Sequence, residues 1–144
     1  MESGLSLRGS RPGSQGIEEI EDACDLALTE WGLMRRRAPF LFAIREALNN
    51  ADAANRRGGH PNAFLEVRLI CSEEAVIAEI PDFGSGLPPQ WRETLLNQDM
   101  GELLCKERGR GLLFMDKLCD ELDSARDSSG LHVVILKVRR MTDA

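Results

Sequence analysis

Three short segments of this 144-residue chain bring together residue types that do chemistry at useful spacings. The first, REALNNADAANRRGG, runs from Arg45 to Gly59. Read as a helix, it puts Glu46 and Asn50 one turn apart on one face, separated by roughly 40° about the axis. They flank the apolar stripe, beside Ala43 and Ala54. A carboxylate and an amide oxygen next to small side chains can hold a hydrated divalent cation or orient a hydroxyl. Mg²⁺ accepts neutral oxygen ligands of this kind. The same pair also suits a plain solvated helical face. The second segment, IPDFGSGLPP, runs from Ile80 to Pro89 and places Asp82, Gly84 and Gly86 at alternate positions after a strand. Glycines let the backbone turn and admit a planar ligand where a Cβ would stand. An Asp there can accept a hydrogen bond from an exocyclic amine, although a tight surface turn uses the same residues. The third segment, ERGRGLLFMDKLCDEL, opens a helix with Gly109 and Gly111. Free N–H groups at a helix start, approached through glycines and flanked by Arg108 and Arg110, suit an anion; a linker before a core helix reads the same way. Neither a Walker phosphate loop nor a dinucleotide-binding GxGxxG after a strand is present.

Taken in order, the ExxxNA, DxGxGLP and RGxGL series resembles the N, G1 and G2 boxes of the histidine-kinase-like (GHKL, Bergerat-fold) ATPases, which include gyrase and mismatch-repair ATPases. The phrase GRGLLFMDKLCDEL and the short chain look like the anti-sigma factor serine kinases of bacteria. The resemblance covers roughly residues 17–139. It implies ATP and Mg²⁺ as cofactors. It implies Glu46 as the general base for an attacking serine hydroxyl and Asn50 as the Mg²⁺ ligand. Asp82 would recognise the adenine amino group, with Gly84, Gly86 and Leu87 lining the base pocket. Gly109 and Gly111 would wrap the triphosphate, with Arg110 and Leu112 among the nucleotide-binding residues beside them, and Gln90 to Arg108 would form an ATP lid. The implied partners are an anti-anti-sigma (STAS-type) protein as substrate and a sigma factor, with a homodimer as the family's assembly. A nucleotide-holding regulatory module without turnover is the alternative. A detached half of a sensor kinase fits less well, because no phospho-acceptor helix precedes residue 17.

Three departures stand beside the resemblance. Family members often carry a His shortly after the Asn-Ala, where this chain has Ala53, Ala54 and Asn55. They usually carry a Gly-Thr near the last strand, where this chain has Gly130–Leu131, so one hydroxyl expected near the adenine is lost. The usual Ser/Thr-rich lid is replaced by LLNQDMGELLCK, Leu95 to Lys106.

The elements that must position these residues follow from periodicity. Ile17, Ile20, Cys24, Leu28 and Trp31 predict an amphipathic helix stopping at Gly32, with an acidic opposite face. Phe40, Ile44, Ala47, Leu48 and Ala51 predict a second helix from about Ala38 to Arg57, ending at Gly58–Gly59. Alternating residues predict strands over Phe64 to Cys71 and Ala75 to Pro81, joined as a hairpin. Leu112, Met115, Leu118 or Cys119, and Leu122 predict a third helix. The run Leu131 to Val138 predicts a last strand whose continuous apolar centre suits a fully covered position. The expected fold is an α/β (α+β) two-layer sandwich, a mixed, largely antiparallel sheet with helices on one face. Residues 1–16, rich in Gly, Ser and Arg, are expected to be a flexible lead-in with a short edge strand near Leu5 to Leu7; 17–144 are expected to form one ATP-binding domain.

Composition narrows the class. Lys plus Arg is 18 against 24 Asp plus Glu, a net charge of −6. That sign argues against a direct nucleic-acid binder, whose affinity rests on neutralising phosphates. No apolar run approaches a membrane span and the N-terminus has no signal-peptide core, so a cytoplasmic bacterial protein without membrane association is expected. Cys24, Cys71, Cys105 and Cys119 are scattered, without the spacing of a zinc site or disulfide framework, and read as reduced structural thiols.

Overall fold

The computed structural model describes residues 2–97 and 110–140. Five strands form one sheet: β1 (Ser3–Arg8), β2 (Glu66–Cys71), β3 (Ala75–Asp82), β4 (Glu121–Arg126) and β5 (His132–Arg139). Their spatial order is β1-β2-β3-β5-β4, and every pairing is antiparallel. The expected two-layer architecture is present, with no parallel pair in the sheet. The helices are α1 (Ser14–Glu30), α2 (Arg37–Arg57), α3 (Trp91–Asn97) and α4 (Arg110–Leu118).

Both long helices end in the same way. At the end of α1, Gly32 N–H bonds Thr29 O at 3.0 Å and Leu33 N–H bonds Leu28 O at 3.0 Å, with Gly32 at φ 75°. At the end of α2, Gly59 N–H bonds Arg56 O at 3.2 Å and His60 N–H bonds Asn55 O at 2.7 Å, with Gly59 at φ 86°. These are Schellman closures, in which a left-handed glycine lets the last carbonyls find donors.

The core lies between the helices and one face of the sheet. Phe40, Ile44, Ala47, Leu48 and Ala51 of α2 are buried against Val76, Ala78 and Ile80 of β3 and Val134, Leu136 and Val138 of β5. Fully burying a large apolar side chain such as Phe40 or Leu48 contributes about 1.5–3 kcal/mol. α4 packs along α2, placing Met115 in the same core.

Four stretches of the chain differ from expectation. β1 is a full six-residue strand paired to β2 from Ser3↔Cys71 to Arg8↔Glu66, and α1 begins at Ser14, inside the segment read as a flexible lead-in. α4 stops at Leu118, and Leu122 belongs to the edge strand β4 rather than to the helix. The chain turns at Asp120, whose carboxylate takes the Arg139 N–H at 2.6 Å and the Arg36 guanidinium at 3.0 Å. β5 is not covered on both faces: Ile135 and Lys137 point to the open side of the sheet and are half-buried. Finally, Trp91–Asn97, within the segment read as a lid, is helical; residues 98–108 of that segment lie outside the described residues.

Candidate functional site

Asp82 is the last residue of β3 and sits opposite His132, the first of β5. Both side chains are buried, at 4% exposure each. His132 Nδ1 lies 2.8 Å from Asp82 Oδ2, while the Gly84 N–H donates to Asp82 Oδ1 at 2.7 Å. On its other side, His132 Nε2 lies 2.7 Å from Ser124 Oγ of β4. A carboxylate carries four lone-pair sites, so Asp82 keeps one open acceptor on each oxygen after these two bonds.

Asp82 and His132 floor a cavity of about 190 Å³ walled by Asn50, Ala53 and Arg57 of α2, Gly86 and Leu87 of the loop, and Leu112 of α4. This is smaller than the about 300–1,000 Å³ of sites that swallow whole ligands, and it suits a flat ring with the rest of its molecule outside. Gly84 does not line it. A Cβ there would stand 2.8 Å from both Ala54 Cβ and Asp82 Oδ1, so this glycine packs the turn against α2. Gly84 instead opens onto an adjoining depression of about 330 Å³ with Ala54, Arg57 and Gly86. Gly86, at φ 102°, needs its left-handed backbone, and a Cβ on it would stand 3.6 Å from His132 Cδ2.

Glu46 and Asn50 come together at the same mouth. A Cβ on Gly111 would stand 3.3 Å from Asn50 Oδ1 and 3.4 Å from Glu46 Oε2. The start of α4 therefore packs closely on the polar flank of α2, where a side chain at Gly111 would crowd Asn50 and Glu46. The structure thus brings Glu46, Asn50, Asp82, Gly86, Leu87, Gly111 and Leu112 to one cleft. Gly109 lies outside the described residues, and Arg110 begins α4. Among the described residues no group of three or more His, Cys, Asp or Glu could hold a metal on its own. A single amide ligand at Asn50 fits Mg²⁺, which commonly binds through few protein oxygens together with phosphates and waters.

Three residues of the site had no role assigned to them by the sequence. Asn55, 3% exposed, accepts the Phe83 N–H at 2.8 Å and fastens the loop after β3 to the end of α2. His132 and Ser124 bring polar groups to Asp82 from β5 and β4, where a Gly-Thr hydroxyl was expected from the loop before β5. Alternation along β5 put His132 on the core face, which was the available signal. A larger groove of about 660 Å³ lies on the far side of Asn55 and Asp82, lined by Arg8, His60, Phe64 and Phe83. His60 stacks on Phe83 with ring centroids 4.2 Å apart. The lining of this groove takes in Asn55, Gly59, Asp82 and Phe83 but not Asn50, Gly86 or any residue of α4, and chemistry rather than size marks the smaller cavity as the candidate site.

An antiparallel sheet with helices on one face, a buried strand-end carboxylate and an Asn-bearing helix beside it define an α/β sandwich with a polar cleft at one end of the sheet. The model of the histidine kinase-like ATPase domain matches residues 22–137, and the chain belongs to that family. The fold is also similar to a chain in the crystal structure of the SiaB–SiaC complex from Pseudomonas aeruginosa, with a TM-score of 0.60 at 15% identity over 94% of this chain and 89% of that one. No curated protein matches the chain in sequence.

Proposed function

We propose that the protein is an ATP- and Mg²⁺-dependent protein serine kinase of the bacterial cytoplasm that phosphorylates a small anti-anti-sigma protein and binds a sigma factor. The observation that carries this reading is the convergence of Glu46, Asn50 and Gly111 at the mouth of the Asp82 cavity. The family membership supports ATP binding, and the structural neighbour's presence in a two-protein complex supports a protein partner.

Each residue has a defined task in this reading. Asp82 accepts from the adenine amino group with the lone pairs left open by Gly84 and His132. Asn50 offers its amide oxygen to Mg²⁺, and the missing side chain at Gly111 keeps α4 from crowding Asn50 and Glu46. Bound Mg²⁺ supplies charge neutralisation of the transferring phosphoryl group. Glu46 takes the proton of the attacking serine hydroxyl as the new O–P bond forms and the bond from the γ-phosphorus to the β–γ bridging oxygen breaks, with ADP as the leaving group. Little covalent chemistry is asked of the protein; positioning and electrostatics carry the rate.

Incubation with labelled ATP and candidate antagonist proteins tests the reading. Glu46→Gln keeps the shape and nucleotide affinity and lowers phosphate transfer by roughly 10²–10⁴, the usual worth of a positioned general base. Wild-type protein that binds ATP but labels no antagonist, with Glu46→Gln indistinguishable from it in cells, would replace the kinase by a nucleotide-holding regulatory module.

A further inference from the structure

The Ser124–His132–Asp82 chain is not assigned by any of the three motifs, and its geometry is tight at both links, 2.7 and 2.8 Å. It has the residue order of a hydrolytic triad. However, the Ser124 N–H is donated to Asp123 Oδ1 at 2.8 Å, so it cannot serve as an oxyanion donor for an attack by its own hydroxyl. The chain ends in the candidate base cavity, and its effect must be felt there.

We propose that His132, backed by Ser124, is a positioning residue that fixes Asp82 as an acceptor-only carboxylate and thereby makes the cavity select purines bearing a 6-amino group. The inference rests on the nucleotide reading above. A carboxylate has no proton to donate, so His132 Nδ1–H donates to Asp82 Oδ2. In the neutral ring Nε2 is then the acceptor, and the Ser124 hydroxyl donates to it. Both ring nitrogens are spent, and the ring turns its Cδ2 edge to Gly86. His132 therefore cannot hydrogen-bond a base directly and acts through Asp82. Two opposed donors, His132 on Oδ2 and Gly84 N–H on Oδ1, stop the carboxylate from rotating. Its open lone pairs face a donor such as the adenine amine and repel a 6-oxo group. Asp82 thus draws its side-chain support from β5 directly and from the edge strand β4 through His132.

The test compares two ligands on four proteins: ADP and the diphosphate of purine riboside, which lacks the 6-amino group, titrated calorimetrically with Mg²⁺. Wild type is expected to prefer ADP. His132→Phe keeps a flat ring without nitrogens and is expected to lose about tenfold in ADP affinity, the scale of a hydrogen bond to a charged group, with the amine-free ligand nearly unaffected. His132→Asn returns an amide donor near the position of Nδ1 and is expected to restore much of the preference. Ser124→Ala, on the half-exposed edge strand, is expected to narrow the ratio by about threefold, since it removes only the second link. A purely structural histidine would weaken both ligands equally. An unchanged ratio in folded His132→Phe overturns the inference while leaving the nucleotide reading intact; should that variant not fold, an unchanged ratio in Ser124→Ala does so. Wild-type protein that binds neither ligand overturns the nucleotide reading itself, and the inference with it.

Discussion

Gly84 shows how much of the site is set by a single missing Cβ. Its φ is not in the left-handed region, so backbone freedom does not explain it. The constraint is the 2.8 Å approach to Ala54 Cβ and Asp82 Oδ1. Gly84→Ala must push the turn away from α2 and loosen the N–H that holds Asp82. It is expected to lower stability by about 1–3 kcal/mol, the range for overpacking, in urea denaturation. The thiols make a second residue-scale case. Burial pushes Cys24 to about 12, with nearby Glu21 adding to it, and burial likewise pushes Cys119 to about 12. Thiolate is the reactive form, so neither should be alkylated by a maleimide at pH 8 in the native protein, and both should be after addition of urea. Mass-spectrometric mapping of the modified sites checks this; labelling of either thiol in native protein would contradict the packing. Asp82, Gly86, Glu46 and Asn50 were singled out as candidates by local signals, turn glycines and helical spacing, read in the order of the family's motifs. Ser124, His132 and Asn55 were not, because their partners are 8, 50 and 28 residues away and appear only once the strands pair.

At the scale of elements, α1 and α2 were readable because each carries its own apolar period and its own glycine stop, and the β2–β3 hairpin because its alternation is broken only by the short turn over residues 72–74. β4 was not. Its sequence ELDSAR buries only Leu122, as expected for an edge strand protected by charge, so its one buried residue fell into register with the preceding helix. Asp120 decides the matter by turning the chain. Burial would raise its pKa, but the Arg139 N–H and the Arg36 side chain outweigh it and hold the carboxyl below its ordinary range. A depressed folded-state value gives stability that is present above the unfolded pKa and lost as pH falls through the folded one. Asp120→Ala is therefore expected to cost about 1 kcal/mol at neutral pH, a partly solvent-screened share, and the gap from wild type should close in acid. Thermal melts across pH 3 to 7 measure it; a gap that is constant with pH would show that the ion pair contributes nothing.

For the whole molecule, the antiparallel sheet with helices on one face leaves β1 and β4 as edges and puts the candidate cleft at the end of the two central strands, β3 and β5. No helix among the described residues is long and apolar enough to cross a membrane. The cleft joins three segments far apart in sequence, and the rigid core beneath them holds Asp82 against the α2 flank. A ligand that binds only this folded arrangement stabilises it by about 2.7 kcal/mol at a hundredfold excess over Kd. The most direct test is calorimetric titration of the wild-type chain and Asp82→Asn with ADP and Mg²⁺. Saturable binding by wild type, weakened in Asp82→Asn because an amide can present a donor where the adenine amine needs an acceptor, is the expected result. No heat of binding at millimolar ADP, or equal binding by both proteins, would contradict it.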